Sequence, residues 1–386
     1  MMKKITQKSI LSLLVIFSVN FGFSVNWKLQ TLQVFDIIQN NFVESNIEDK
    51  TLTYGAIKGM LESLNDPYSR FLEPQKYSDM KVNLNGNFFG IGIHIGIKNN
   101  KLTVISPIEG TPADKAGLKS LDTIAFINKQ STDKMSIEEA VSKIRGPEGT
   151  KVVIGIKRDN VADIIDYSIV REKIEIKSVD GAQILTGNVG YLRLVSFESR
   201  EATKEIVNAI KQLKKKNMKS FVLDLRNNGG GLLANAQTIS SLFLDSGIVV
   251  YTVDRNGSKM GIPVMQKQKI YSGPLVILIN GSSASASEIL AGAIRDNKRG
   301  KLVGTHSFGK ASVQNIVPMS DGSAILLTIA KYYTPNGDNI HGVGIMPDVV
   351  VDIPSEDIKE MQQGNYVYSI DKDIQLQQAL KVARSL

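Results

Sequence analysis

The segment Asn280-Gly-Ser-Ser-Ala-Ser-Ala-Ser-Glu-Ile-Leu-Ala-Gly-Ala-Ile-Arg295 carries serines at positions 282, 283, 285 and 287. Ser307-Phe-Gly-Lys-Ala-Ser-Val-Gln314 follows, with an isolated lysine in an apolar, glycine-containing turn. A serine hydroxyl is a weak nucleophile until a neighbouring base takes its proton, and a desolvated lysine amine is such a base. Ile289, Leu290, Ala293 and Ile294 form an apolar stripe at helical spacing, with Glu288, Arg295 and Asp296 off it. A helix starting near Ser285 would therefore follow directly on the buried strand Leu275-Val-Ile-Leu-Ile279. That arrangement lifts Ser285 to the C-terminal edge of a sheet, where α/β proteins place their sites, and puts the Ala286 N–H at the positive end of the helix. Each competing serine has the plainer reading of a capping hydroxyl.

Leu223-Asp-Leu-Arg-Asn-Asn-Gly-Gly-Gly-Leu-Leu233 is a buried strand running into glycines. No Lys-Ser/Thr follows as in a phosphate loop, and the GxGxxG spacing is absent. An oxyanion hole in which Gly230 or Gly231 joins Ala286 suits the segment better. Lys310 has apolar neighbours in Phe308 and Val313, and no acidic residue lies between Asp296 and Asp321. Burial without a counter-ion lowers an amine's pKa, and Gln314 is placed to orient it. His306 is the alternative base, in a Ser-His-Asp arrangement, although no aspartate stands out as its orienter. His94 and His341 read as strand and loop residues.

The positioning elements follow from periodicity. Trp27 to about Leu84 is helical, through Leu29, Leu32, Phe35, Ile38 and Phe42 and then Ile57, Met60, Leu61 and Leu64. From Asn85, short strands alternate with turns and one helix near Ser136–Ile144, the texture of a small, partly open barrel. From about Ser178 strands and helices alternate, and Phe221–Leu225 and Leu275–Ile279 are continuous apolar runs expected of strands buried on both faces. A last helix, Ile374 to Ser385, presents Leu376, Ala379, Leu380 and Ala383 on one face.

The chain has 386 residues, ample for several domains. Its charge of +8 comes from scattered lysines, the densest run (Lys211, Lys214, Lys215, Lys216) lying on an expected helix, so nucleic acid is not an expected partner. With no cysteine, thiolate zinc sites, disulfides and a cysteine nucleophile are excluded; with three histidines a multi-histidine metal site is not expected. At the N-terminus, Lys3, Lys4 and Lys8 precede an uncharged run from Ser9 to Trp27, with Gly22 and Ser24 suited to cleavage after Ser24. This reads as a secretory signal, with an uncleaved membrane anchor as the alternative.

Two resemblances sharpen these expectations. Phe89-Gly-Ile-Gly-Ile93, Ser106–Leu118, Asp122–Asn128 and Arg145-Gly-Pro-Glu-Gly-Thr-Lys-Val152 together resemble a PDZ domain of the kind inserted in bacterial proteases. The resemblance makes Phe89, Gly90, Ile91, Gly92 and Ile93 its carboxylate-binding loop, beside a strand edge that accepts a peptide. Leu121 stands where that family commonly has glycine.

The chain as a whole resembles the C-terminal processing peptidases, the tail-specific protease family. It does so from Asp66-Pro-Tyr-Ser69 through Ser285-Ala-Ser-Glu288 and Phe308-Gly-Lys310 to Tyr333-Thr-Pro335 and Gly344-Ile-Met-Pro-Asp348. The resemblance implies Ser285 as nucleophile, Lys310 as general base and Gln314 as its partner. It also implies a multidomain α/β fold with a ClpP/crotonase-like peptidase core and no cofactor or metal. Asn228-Gly-Gly-Gly231 lacks the family's usual proline, and Gly309-Lys-Ala311 replaces Gly-Lys-Gly.

The expected organisation is a signal at 1–24, a helical region at 25–84, the PDZ domain at 85–175, the peptidase core at 176–350 and a helical tail at 351–386. The expected activity is endoproteolysis of exported proteins recognised by free, apolar C-terminal tails, in the periplasm or anchored in the inner membrane facing it. The N-terminal segment is the candidate membrane contact, and the terminal helices are candidate homodimer contacts. The alternative is a PDZ scaffold that binds such tails without cutting them.

Overall fold

The computed structural model describes residues 26–44, 46–98, 100–158, 161, 163–175, 177–363 and 369–386. The expected signal at 1–24 lies outside them. Among the described residues, no helix is long and apolar enough to cross a membrane.

The chain divides at Ser63 into two units. The first holds α1 (Trp27–Asn41) and α2 (Asp49–Glu62). Asn26 caps α1 by accepting from the Leu29 N–H at 3.3 Å.

The second unit opens with β1 (Arg70–Leu72) and α3 (Pro74–Asn85). The expected helical stretch is thus interrupted by a strand of only three residues, which pairs antiparallel with a strand far along the chain, Arg70 opposite Leu326. Pro74 starts α3, where its missing N–H costs nothing, and Gly86 ends it in a left-handed conformation.

The region with PDZ signposts comprises β2 (Asn87–Gly90), β3 (Ile93–Lys98), β4 (Lys101–Pro107), α4 (Pro112–Ala116), β5 (Thr123–Ile127), β6 (Gln130–Ser131), α5 (Ile137–Ile144), β7 (Lys151–Lys157), β8 (Ile165–Val170) and β9 (Glu172–Glu175). The strand order β3-β4-β5-β7-β8 leaves β3 at an edge, with α5 packed beside it; β2 pairs with β9. Ile91, Val104, Ile124, Ile127, Ala140, Val152, Ile154 and Ile156 fill this core, as alternation along its strands requires.

The larger core continues with β10 (Val179–Leu185), β11 (Val189–Leu194), α6 (Ala202–Lys215), β12 (Ser220–Asp224), α7 (Leu233–Ser241), β13 (Ile248–Asp254), β14 (Lys259–Pro263), β15 (Leu275–Ile279), α8 (Ala286–Asp296), β16 (Lys301–Gly304), β17 (Ser312–Pro318), β18 (Ala324–Tyr333), β19 (Val349–Val350), α9 (Ser355–Gln363) and α10 (Ile374–Ser385). One sheet has the order β10-β11-β12-β15-β16-β19, parallel from β11 to β19. All of β12 and β15 is buried because both faces are covered. Residues of α6, α7 and α8 share one apolar cluster with one face of the sheet, and α10 buries Leu376, Ala379, Leu380 and Ala383 on the other.

A second sheet, β1-β18-β13-β14 with β17 against β18, stands beside this layer. The fold is therefore the expected α/β core accompanied by a small β-rich domain.

Candidate active site

The loops that follow β11, β12, β15 and β16 all leave the C-terminal ends of parallel strands, and they carry the chemistry expected above. After β15 the chain turns at Asn280 and enters α8, with Ser285 at the cap position. Burying Ile289, Leu290 and Ile294 along α8 contributes roughly 1.5–3 kcal/mol per side chain and fixes the helix on the sheet.

Ser285 has φ 55° and ψ −114°, a conformation that a residue with a Cβ adopts at a cost of about 1–3 kcal/mol. A sharp strand-to-helix turn of this kind presents a nucleophile's hydroxyl above the sheet. The neighbouring serines have other tasks. Ser283 Oγ donates to the Leu225 carbonyl at 2.8 Å and Ser287 Oγ to the Asn228 carbonyl at 2.8 Å, both buried, while Ser282 faces solvent. Ser285 alone of the four lines the large cavity described below.

The glycine run packs directly on this turn. Asn228 is buried, its Nδ2 donates to the Leu194 carbonyl at 2.6 Å, and its own carbonyl accepts from Ala284 N at 3.0 Å. Gly230 has φ 98°, and a Cβ there would stand 2.8 Å from both Ala286 N and Ser285 Cβ, so only glycine permits the approach. The Gly230 N–H donates to Asn228 Oδ1 at 2.9 Å. Its amide is thus occupied within the loop, contrary to the expectation that it points at a reacting oxygen. Gly229 and Gly231 line the cavity beside Ser285.

Lys310 lies in the turn between β16 and β17. Gly309 has φ 90°, and a Cβ there would meet Gly344 N at 2.8 Å. The turn is organised by Glu288, which is 1% exposed. Glu288 Oε1 accepts from Ser307 Oγ and Gly309 N, each at 2.6 Å, and Oε2 accepts from Ser285 N and Lys310 N, each at 2.9 Å. A carboxylate is acceptor-only, so these four donors satisfy a charge that burial would otherwise penalise heavily. Sequence periodicity places Glu288 off the buried stripe; the structure buries it. The signal that identifies it is the Ser-x-x-Glu spacing of a helix start, Ser285 to Glu288.

The Lys310 amine sits 4.7 Å from the ring centroid of Tyr68, which comes from the Asp66-Pro-Tyr-Ser69 turn. Burial, reinforced by the Arg70 guanidinium, pushes the amine below the ordinary lysine value, with Asp66 and Glu288 opposing. These two carboxylates correct the expectation of an amine with no acidic neighbour. The Asp66 turn is stitched to β18: Ser69 Oγ donates to Asp66 Oδ2 at 2.6 Å and accepts from Thr328 N at 3.0 Å.

Gln314 stands on β17, four residues beyond the lysine. Its Nε2 donates to Ser312 Oγ at 2.8 Å and Thr328 Oγ1 at 3.2 Å. Tyr332, not anticipated from the sequence, is buried with its hydroxyl donating to the Lys310 carbonyl. His306 lies on the far flank of the turn, against Gly344, and is not among the residues lining the cavity.

Ser285, Lys310, Gln314 and Tyr332 line one cavity of about 630 Å³, with apolar walls from Leu72, Met80, Leu233, Ile289, Val313 and Leu326 and charges from Arg70, Lys76, Asp79 and Glu198. In the smaller domain, Phe89 and Gly90 pair with Lys173 and Glu172, Ile91 is fully buried, and the Gly92 carbonyl accepts from Ile108 N at 2.9 Å. Ile93 then begins the edge strand β3. Arg145 joins this domain to α3 through Asp79 Oδ1 at 2.7 Å, with its guanidinium 4.8 Å from the Phe88 ring centroid. Behind the site, Arg226 bonds Asp224 and Asp373, both at 2.7 Å, tying the loop after β12 to the start of α10.

Family models described as Peptidase family S41, PDZ domain and activating protease CtpB N-terminal domain match residues 188–351, 78–157 and 25–76. The chain is 40% identical over 332 residues to the carboxy-terminal-processing protease of Bartonella bacilliformis, covering 83% of this chain and 74% of that one. It is 38% identical over 323 residues to carboxy-terminal processing protease CtpA of Bacillus subtilis, covering 83% and 68%. Among solved structures it is similar to a photosystem II D1 C-terminal processing protease, at 29% identity and a TM-score of 0.50 over 85% of this chain and 94% of that one. A putative S41 protease from Bacteroides fragilis shares the fold, with a TM-score of 0.51 at 16% identity over 91% and 96%. A relative this similar over most of both chains leaves one conclusion: the chain belongs to the carboxy-terminal-processing proteases, serine-type peptidases of family S41 that carry a PDZ domain.

Proposed function

We propose that the protein is an exported endopeptidase that captures proteins by free, apolar C-terminal tails in its PDZ domain and cleaves them with a Ser285–Lys310 dyad. The neutral Lys310 amine takes the Ser285 proton as Oγ attacks the peptide carbonyl. The Ala286 amide, with an amide of Gly229 or Gly231, stabilises the oxyanion. The resulting ammonium protonates the leaving amine, and the amine then activates the water that releases the acyl group. Gln314 orients the amine through its Oε1.

One observation carries the reading above all: nucleophile and base hang from the same Glu288 oxygen and line the same cavity. Base action of this kind contributes roughly 10²–10⁴-fold. The apolar walls suit an uncharged side chain next to the scissile bond. The edge strand β3, beside α5 and led by the Phe89–Ile93 loop, suits an extended tail added as a further strand. Export rests on the lysine-led, uncharged N-terminal segment.

The test is a Ser285→Ala variant incubated with a peptide ending in apolar residues and followed by mass spectrometry and by binding. The expected result is retained binding and no cleavage, with wild-type cleavage unaffected by chelator. Cleavage at the wild-type rate by the variant would remove Ser285 from the mechanism.

A further inference from the structure

The strand β18 is a common spine for Lys310 and for an aromatic ring that faces it. On one edge β1 sets Arg70 opposite Leu326, and on the other β17 sets Ile316 opposite the same Leu326. Lys310 lies two residues before β17 and Tyr68 two residues before β1, so both enter this sheet from the same end. Thr328 ties the two edges together: its N–H donates to Ser69 Oγ at 3.0 Å, and its Oγ1 accepts from Gln314 Nε2 at 3.2 Å. The Tyr68 turn is also held from within, by Asp66 Oδ1 accepting from Tyr68 N at 3.1 Å. The Lys310 amine thereby stands over the half-buried Tyr68 ring, 4.7 Å from its centroid.

We propose that Tyr68 is a positioning residue that acts through Lys310: its ring face receives the positive charge that the amine acquires on taking the Ser285 proton. This rests on the Ser285–Lys310 reading. As Ser285 Oγ bonds to the acyl carbon, its O–H bond breaks and an N–H bond forms on Lys310. The ammonium keeps that proton until the substrate C–N bond breaks and the departing nitrogen takes it. A ring quadrupole attracts an ammonium and is nearly indifferent to a neutral amine, so the contact strengthens only as the transition state forms.

A ring suits that part better than a carboxylate would. An ion-paired carboxylate would hold the amine charged and deny it the role of base. The two carboxylates that act on the amine are engaged elsewhere, Glu288 with four N–H and O–H donors and Asp66 with Tyr68 N and Ser69 Oγ. Tyr332, from β18, donates its hydroxyl to the Lys310 carbonyl. Burial and Arg70 keep the amine below the ordinary lysine value against Asp66 and Glu288. Burial, with Asp66 and Glu288 adding, holds the Tyr68 phenol above its own ordinary value, so the ring stays uncharged where the amine titrates.

The experiment compares the full chain as wild type, Tyr68→Leu, Tyr68→Phe, and phenylalanines with one to three ring fluorines placed at 68 by codon suppression. Fluorine drains the ring face and leaves its size nearly unchanged, so the series from Tyr68→Phe varies the charge interaction. The readouts are kcat and KM on a tail peptide, the pH profile of kcat/KM, and Tm. Above the acid limb, Tyr68→Leu should lower kcat/KM by about 3- to 30-fold, with kcat carrying the loss. Each added fluorine should lower it further from the Tyr68→Phe value at unchanged Tm. The limb should move to lower pH in step, because the ammonium of the free enzyme loses the same contact. Below the limb the profiles should converge, since the ring then meets an ammonium both at rest and in the transition state.

A residue that merely packs would lower the rate by one factor at every pH. That outcome, a fluorine series that keeps the Tyr68→Phe profile, a change confined to KM, or a limb moved to higher pH would overturn the role of the ring. Activity surviving in Lys310→Met would instead overturn the dyad, whatever the fluorine series does, so the two failures are separable.

Discussion

The backbone amides of Ser285 and Lys310 donate to one and the same oxygen, Glu288 Oε2, at 2.9 Å each. The first turn of α8 and the turn before β17 are thereby referenced to a common point. The main chain that bears the hydroxyl and the main chain that bears the amine are held at one reference.

Replacing Glu288 by glutamine tests that arrangement. One carboxylate oxygen becomes an NH₂ donor facing groups that are donors themselves, and hydrogen bonds to a charged group are worth about 1.5–3 kcal/mol each. Glu288→Gln should lower Tm and reduce kcat by about 100-fold, measured by thermal melting and peptide hydrolysis. Wild-type values in both would show that the carboxylate is incidental.

The depressed Lys310 amine sets a pH dependence. The base works when neutral, so kcat/KM rises with pH through the Lys310 pKa. Burial disfavours the ammonium most and Arg70 disfavours it further. Arg70→Met removes the second cause, raises the Lys310 pKa toward the ordinary lysine value, and should move the acid limb to higher pH. A limb that stays put or moves down would contradict the assignment of the limb to Lys310.

The site and its framework were not equally legible in the sequence. Ser285 and Lys310 stand out because a buried strand, a turn and an amphipathic helix are local patterns, and the Ser-Ala-Ser-Glu and Phe-Gly-Lys segments sit on them. Periodicity assigns Glu288 to the solvent-facing side because it reads a carboxylate as exposed, whereas four donors from two segments make its burial favourable. Tyr68, Tyr332 and Thr328 join the site through β1 and β18, whose pairing spans most of the chain and leaves no local trace. The same holds for β1 itself, too short to show a period. Gln314, four residues beyond Lys310, lies on a strand, where its amide nitrogen faces Ser312 and Thr328.

Leu121 has φ 72° and is 58% exposed, in the turn where PDZ domains commonly have glycine. A left-handed residue with a Cβ costs roughly 1–2 kcal/mol, part of which is offset by the greater freedom of an unfolded glycine. Leu121→Gly should therefore stabilise the protein by about 0.5–1 kcal/mol with tail affinity unchanged, as read by denaturant unfolding and peptide titration. Destabilisation would mean that the leucine side chain makes contacts that outweigh the strain.

Gly229 stands where the family's proline is usual, has open space where a Cβ would go, and is not left-handed. Gly229→Pro should stiffen the loop and raise stability by about 0.4–1 kcal/mol while retaining hydrolysis. Because proline has no N–H, retained hydrolysis leaves Gly231 as the partner of Ala286 in the oxyanion hole. Loss of turnover in a folded variant would assign that part to the Gly229 amide.

The most direct measurement is the rate of tail-peptide hydrolysis by Lys310→Met, taken alongside the affinity of the PDZ domain for the same tail. The account predicts a loss of roughly 10²–10⁴-fold in hydrolysis at unchanged affinity. Unimpaired hydrolysis would contradict it and transfer the role of base to His306.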